Sequence, residues 1–231
     1  MTDEELKKSV LPIDVVSDVM CPWCFIGKRR LGYALEKAAD VPVLVRWRPF
    51  QLDATLPPEG KDYRRYHEDK FGSAEKVDAL RARVTEAGRA EGLDFRLDAI
   101  PKAPNTLNAH RLIRWAGPVG VQNKLVELLF SLYFLEGADL TDDAVLAEAA
   151  DACGMAKDRA LELLKTDQDV EAVKTEIAVA QRMGINSVPT FLIANRYAVV
   201  GAQEPDVLAQ AIREAWVERS EEAEFAVPSG T

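Results

Sequence analysis

Cysteine and histidine are scarce in this chain of 231 residues, which holds three of the first and two of the second. Three cysteines are too few, and odd in number, for a disulfide scaffold. Basic charge is in deficit: 29 Lys and Arg stand against 38 Asp and Glu, a formal charge of −9. That balance argues against non-specific nucleic-acid binding, which needs a basic surface. No run approaches the roughly 18 apolar residues of a membrane span, so no membrane partner is expected. The opening Met1-Thr2-Asp3-Glu4-Glu5 has the wrong charge for a signal-peptide start, and no apolar run follows it. The expected location is cytoplasmic, where a reducing milieu makes a Cys pair more often catalytic or metal-binding than structural. Internal repeats and low-complexity blocks are missing too.

What is present reads as a folded α/β protein. Hydrophobic residues make up 48% and charged residues 29%, ordinary values that argue against a disordered chain. After about ten polar residues, expected to be poorly ordered, Pro12-Ile13-Asp14-Val15-Val16-Ser17-Asp18 is short and β-branched, the signature of a buried strand. A helical pattern runs from about Pro22 to Ala39, and Pro22 suits a first helical position, where a missing N–H costs nothing. Val43, Val45 and Trp47 then alternate with Leu44, Arg46 and Arg48, which is strand periodicity. Strand, helix, strand predicts a βαβ unit with parallel strands and a right-handed crossover.

From about Leu56 to Met183 the pattern is almost wholly helical. One helix lies between Ser73 and Gly92, and another runs from a cap at Asn105 or Thr106 to about Ala116. An apolar helix spans Leu125 to Tyr133, one opens at Thr141 and stops near Gly154, and a last one ends at Gly184. Pro101-Lys102-Ala103-Pro104 reads as a loop. Strand pattern returns at Thr190-Phe191-Leu192-Ile193-Ala194 and Tyr197-Ala198-Val199-Val200, around a two-residue hairpin loop at Asn195-Arg196. A final helix is expected from Glu204-Pro205-Asp206 to about Val217. Two halves of one sheet are thus separated by a helical block, expected to pack as a lid on the sheet's end.

Cys21-Pro22-Trp23-Cys24 carries the chemistry. Two cysteines one helical turn apart can bring their sulfurs together, and the helix start stabilises a thiolate at Cys21. A thiolate attacks disulfides and a thiol does not. Cys21 is therefore the candidate nucleophile and Cys24 the resolving thiol. A zinc half-site would need two more ligands from Cys153, His67 and His110, none of which forms a second pair, so no metal is expected. An inert buried pair is the remaining alternative. A C-x-x-C beside a βαβ unit favours redox work.

Val188-Pro189 precedes a buried strand. A trans bond at a strand start is the plain reading; in this topology a cis bond is favoured. It would turn the backbone of Val188 towards Cys21, where it could pair with an extended substrate.

Four segments carry a resemblance. Val19-Met20-Cys21-Pro22-Trp23-Cys24-Phe25-Ile26-Gly27, Pro104-Asn105-Thr106 with Ala109-His110-Arg111-Leu112, Gly184-Ile185-Asn186-Ser187-Val188-Pro189-Thr190-Phe191, and Val200-Gly201-Ala202-Gln203 resemble the FrnE-type branch of the DsbA-like thioredoxin-fold oxidoreductases, over about residues 12 to 219. The resemblance implies an α/β thioredoxin-like fold (β-α-β … β-β-α) with a large all-helical insertion. Residues 10–55 and 184–219 would form the thioredoxin-like domain, 56–183 the insertion and 220–231 a tail. It also implies a cis bond at Pro189 and thiol–disulfide oxidoreductase or isomerase activity.

The same branch is similar to hydroxychromene-carboxylate isomerases and kappa-class glutathione transferases. There a serine usually replaces the first cysteine and bound glutathione is the working thiol. Cys21 and Cys24 both stand here, which counts against those activities.

The expected substrates are protein or peptide disulfides, with no tightly bound cofactor and glutathione as candidate co-substrate, in a monomer or homodimer. Pro22, Trp23, Val188, Pro189, Asn105 and His110 are the candidate substrate-binding residues. For Asn105 the alternative is an N-cap, for His110 a satisfied polar contact, and for Trp23 a helix-start anchor. His67 is expected at the surface and Cys153 as a buried structural thiol. Lys28, Arg29 and Arg30 read as a solvated helix face, or as a steering patch for acidic groups. Two other functions compete: a glutathione-dependent isomerase or transferase of a small aromatic substrate, and a chaperone-like binding module.

Overall fold

The β-branched run forms strand β1 (Leu11–Ser17), an inner strand of a mixed four-stranded sheet, in a computed structural model that describes residues 9–225. Helix α1 (Pro22–Lys37) follows, and strand β2 (Val43–Pro49) pairs parallel with β1 from Leu11–Val43 to Ser17–Pro49. Strands β5 (Thr190–Ile193) and β6 (Tyr197–Val200) complete the sheet in the order β2-β1-β5-β6. Leu11, Ile13, Val15 and Val16 are all buried, as befits a strand covered on both faces. Helix α9 (Pro205–Phe225) closes the chain and packs on α1.

Between the two halves lie α2 (Tyr63–Phe71), α3 (Ala74–Ala90), α4 (Leu107–Val119), α5 (Gln122–Ser131), a π-helical turn (Leu132–Glu136), α6 (Asp143–Ala152), α7 (Lys157–Leu164) and α8 (Val170–Arg182). Strands β3 (Lys61–Asp62) and β4 (Lys102–Ala103) form a small antiparallel ribbon where a loop was expected at 101–104. Two-residue strands are too short for any periodicity to reveal.

Other boundaries also moved. The hairpin loop has three residues, 194–196, because the left-handed positions fall on Ala194 and Asn195 (φ 54° and 58°) and the pairing closes at Ile193–Tyr197. Asp142, not Thr141, caps α6: its carboxylate accepts from Ala144 N at 2.8 Å, while Thr141 turns its hydroxyl to Asp139 at 2.6 Å. Helix α9 runs to Phe225, beyond Val217 and into the expected tail, since Glu221, Glu222 and Ala223 are good helix formers. The rest of that tail, and expected disorder before Ser9, lie outside the described residues.

The helical insertion packs closely against α1. Phe25 of α1 stacks on Phe130 at 5.1 Å and lies 6.1 Å from Phe95 and 6.4 Å from Phe134, all from the insertion. Such pairs add about 0.5–1.5 kcal/mol each beyond burial. Arg30 binds Glu91 at 2.6 Å, Glu204 at 2.6 Å and the carbonyl of Ala202 at 2.8 Å, and Lys28 pairs with Glu127 at 2.8 Å. The basic run after the Cys motif is thus a seam between helices, not a solvated face. Along edge strand β2, Gln122 takes the place of a missing strand: its Oε1 accepts from Trp47 N at 2.9 Å and its Nε2 donates to Trp47 O at 3.4 Å.

Burial pushes the phenol of Tyr63 up to about 12 and raises those of Tyr66 and Tyr133 as well. A folded-state value above the unfolded one means that the unfolded chain loses its proton first as pH rises. Their contribution to stability is therefore complete below about pH 10, the ordinary tyrosine value, and lost as pH climbs towards 12. Urea midpoints should fall steeply between pH 10 and 12; a flat profile to pH 11.5 would refute this.

Candidate active site

The end of β1 and the start of α1 build the site. Asp18, fully buried, organises the turn between them: Cys21 N donates to its carbonyl at 3.0 Å, Leu52 N to its Oδ2 at 2.7 Å and Met20 N to its Oδ1 at 3.4 Å. Cys21 is extended (φ −94°, ψ 113°) at the N-cap, with Pro22 starting the helix. No side chain caps α1 and its first turn holds no acidic residue, so the positive end of the helix is directed at the Cys21 region. Both cysteines are free thiols.

Cys24 is completely buried and Cys21 is 4% exposed. Burial pushes the Cys24 thiol well up, and the neighbouring Cys21, as hydrogen-bond partner and as charge, adds to the effect; the Ser17 hydroxyl and the Asp18 amide offset part of it. Cys24 is therefore held as a protonated thiol behind its neighbour. Pro22 and Trp23 are half-buried beside the pair.

The opposite wall is the loop before β5. The Val188–Pro189 bond is cis, and the Cys21 thiol points at the Val188 carbonyl, 3.7 Å away. Gly201 N donates to the Pro189 carbonyl at 2.8 Å, so the fourth family-like segment supports this loop. A Cβ at Gly27 would lie 2.8 Å from Pro189 Cγ and 3.3 Å from Phe191 Cζ, so only glycine lets α1 approach this closely.

The candidates from the insertion are placed differently. Asn105 ties the loop after β2 to the start of α4: its Oδ1 accepts from Gln51 Nε2 at 2.9 Å and Leu107 N at 3.1 Å, and its Nδ2 donates to Leu56 O at 2.6 Å. His110 is buried in α4 with its Nε2 3.5 Å from Asp18 Oδ1. Asp18 itself was missed at the sequence level, where it read as the last residue of a strand; an acid at the end of an apolar strand was the only sign. Cys153 is buried at the end of α6. His67 is half-buried rather than at the surface, its ring tilted against that of Tyr63 at 4.2 Å and stacked with Phe71 at 5.8 Å, with Nδ1 2.7 Å from the Tyr63 carbonyl.

Parallel β1 and β2, the antiparallel β5–β6 hairpin and flanking α1 and α9 define a thioredoxin-fold protein, here with a helical insertion. The chain belongs to the family of the DsbA-like thioredoxin domain, whose model matches residues 12–213. Thiol–disulfide oxidoreduction is the activity that this family implies. YwbO of Bacillus subtilis (strain 168), an uncharacterized protein, is 26% identical over 202 residues, 87% of this chain and 94% of its own. A probable DsbA oxidoreductase from Streptomyces coelicolor has a similar crystal structure, with TM-score 0.82, 27% identity and coverage of 90% of this chain and 91% of that one. The cytosolic disulfide reductase DsbM from Pseudomonas aeruginosa, solved with GSH, shares the fold at TM-score 0.60 and 14% identity, over 92% of this chain and 99% of its own. Among the described residues no helix is long and apolar enough to cross a membrane.

Proposed function

We propose that this protein exchanges disulfides with protein or peptide substrates through Cys21 and Cys24, in the direction of reduction or isomerisation. The observation that carries the reading is the Cys21 thiol at the start of α1, aimed at the Val188 carbonyl beside a cis proline, with the protonated Cys24 thiol behind it. The Cys21 sulfur attacks a substrate disulfide; one substrate sulfur leaves as a thiolate and the other stays bound to Cys21. Cys24 then gives up its proton and attacks Cys21, which expels the second substrate thiolate and leaves a Cys21–Cys24 disulfide. If a substrate thiol attacks first, the result is isomerisation. The backbone of Val188 pairs with an extended substrate segment, and Pro22 and Trp23 flank it.

Two glutathione molecules return the pair to the dithiol and leave as glutathione disulfide. Support for that co-substrate comes from the fold shared with DsbM, solved with GSH. The same relative, a cytosolic reductase, supports a cytoplasmic setting. No histidine lies between the cysteines, which favours a reducing or isomerising role over that of a strong oxidant.

The test equilibrates the protein in glutathione redox buffers and follows the Cys21–Cys24 peptide by mass. Reversible loss of two hydrogens is expected. A stable glutathione adduct without internal closure would favour glutathione-dependent isomerase or transferase chemistry instead, and no change at all would favour a binding module. A potential as high as about −120 mV, that of a strong oxidant, would overturn the reducing direction.

A further inference from the structure

The wall opposite Cys21 is held in place from a distance. The Pro189 carbonyl accepts from Gly201 N at 2.8 Å, so the loop that carries the Val188 backbone is tied to the turn between β6 and α9. That turn is stiffened internally. Gln203 Nε2 donates to Val200 O at 2.8 Å and Gln203 N to Gly201 O at 2.9 Å, with Gly201 in the left-handed region (φ 83°). A further anchor comes from the helix that bears the cysteines. Arg30 Nη1 donates to the Ala202 carbonyl at 2.8 Å and pairs with Glu204 at 2.6 Å. Arg30 stands one turn beyond Gly27, where a Cβ would collide with Pro189, and residues three apart are neighbours on a helix surface. The approach at Gly27 and the bond from Arg30 thus hold connected parts of one wall against α1.

The guanidinium is itself oriented. Its Nε donates to Glu91 Oε1 at 2.6 Å, from the residue that ends α3, and these two side chains are 13% and 10% exposed. A charge-assisted bond this sheltered is short, directional and little screened by salt. The insertion therefore aims the guanidinium, and the guanidinium holds the turn. We propose that Arg30 is a positioning residue for peptide substrates. It sets the spacing between Cys21 and the Val188 backbone through Ala202, Gly201 and Pro189, with Glu91 of the insertion fixing its direction. Arg30 itself touches no substrate. A misplacement of reacting groups by about 1 Å can cost about a hundredfold in rate, so a loose turn is felt wherever a substrate strand must pair with Val188. Cys21 keeps its own place at the start of α1 whether or not the turn is held.

The inference rests on the function proposed above, and its test separates the two. Full-length wild type, Arg30→Met, Arg30→Lys and the double variant Arg30→Met with Glu91→Leu are assayed for reduction of an extended peptide disulfide, with glutathione as reductant. Alkylation of the Cys21–Cys24 peptide by iodoacetamide, followed by mass, reads the sulfur without any substrate strand. In Arg30→Met the KM for the peptide should rise about fivefold or more, with kcat and the alkylation rate within about twofold of wild type, the pattern of lost binding rather than lost chemistry. Arg30→Lys should lie between, since its ammonium can still donate to Ala202. The double variant tells positioning from stability. It removes both halves of the sheltered pair and so leaves no uncompensated charge, yet the Ala202 carbonyl still lacks its donor, and its KM should stay raised. A double variant with the wild-type KM would show that Arg30 only balances Glu91, and would overturn the inference. So would an Arg30→Met KM within about twofold of wild type, or an alkylation rate that falls in step with turnover. Should Arg30→Met fail to fold, the double variant decides. If wild type reduces no peptide disulfide, the proposed function fails and the positioning role with it; if wild type does so and the variants match it, only the positioning role is refuted.

Discussion

Exchange activity is expected to fall to the uncatalysed background when Cys21 is replaced by serine, because a hydroxyl at that position cannot form a disulfide with substrate. Cys24→Ser should behave differently. Its first step survives, since Cys21 still attacks, but release fails and a mixed disulfide accumulates. The asymmetry follows from depth and protonation: Cys24 is fully buried with its thiol pushed up, and Cys21, 4% exposed, stands at the start of α1. Insulin reduction or refolding of a scrambled disulfide substrate reads the first effect, and non-reducing mass analysis reads the second. Trapping in Cys21→Ser and none in Cys24→Ser would show that the roles are reversed. Retained turnover in Cys21→Ser would remove the dithiol mechanism altogether.

The largest loss of stability is expected at Arg111, which contacts neither cysteine. Its side chain is 1% exposed, yet no carboxylate accepts any of its five hydrogen bonds. Nε donates to Gln168 O at 2.7 Å, and Nη1 to Leu164 O at 3.1 Å and to Asn108 Oδ1 at 2.8 Å. Nη2 donates to Leu163 O and Thr166 O, each at 2.7 Å. The guanidinium therefore uses every N–H it has, four on carbonyls at and beyond the end of α7 and one on the Asn108 amide oxygen. The negative end of that helix helps to balance the charge, and the ring of Trp115 lies 5.1 Å from it.

Arg111→Met would strip the donor from the buried Leu164 carbonyl and from three part-buried ones, at Leu163, Thr166 and Gln168. At about 1–3 kcal/mol for the buried group and about 0.5 kcal/mol for each of those that water can reach, a loss of about 3 kcal/mol is expected. That is a large part of the roughly 5–15 kcal/mol that holds a domain folded, and corresponds to a drop on the order of 10 °C in Tm. Arg111→Lys should lie between, since three donors replace five. Calorimetry checks both, and a methionine variant melting within about 2 °C of wild type would refute the account.

How far the sequence could be read depended on the range of the interaction. The dithiol, the proline before β5, the parallel β1–β2 pair and the helical middle rest on local signals: fixed spacing, β-branching, apolar periodicity and capping residues. The segments that failed were those in which two local options cost nearly the same. Asp142 and Thr141 are both good caps, and Asn195 can sit at either left-handed position of its turn.

Arg111 and Gly27 stood within family-like segments without any readable role, because the four backbone partners of Arg111 lie 52 to 57 residues away and those of Gly27 162 to 164. The same is true of Asp18, which lies 3.5 Å from His110 only because α4 brings that ring to it. By itself the sequence determined the spacing of Cys21 and Cys24 and the order of the elements, since covalent neighbours and helical or strand periods act over a few residues. Only the tertiary structure decided which buried charges meet, since a desolvated carboxylate, imidazole or guanidinium is tolerable only beside partners that folding delivers from far along the chain.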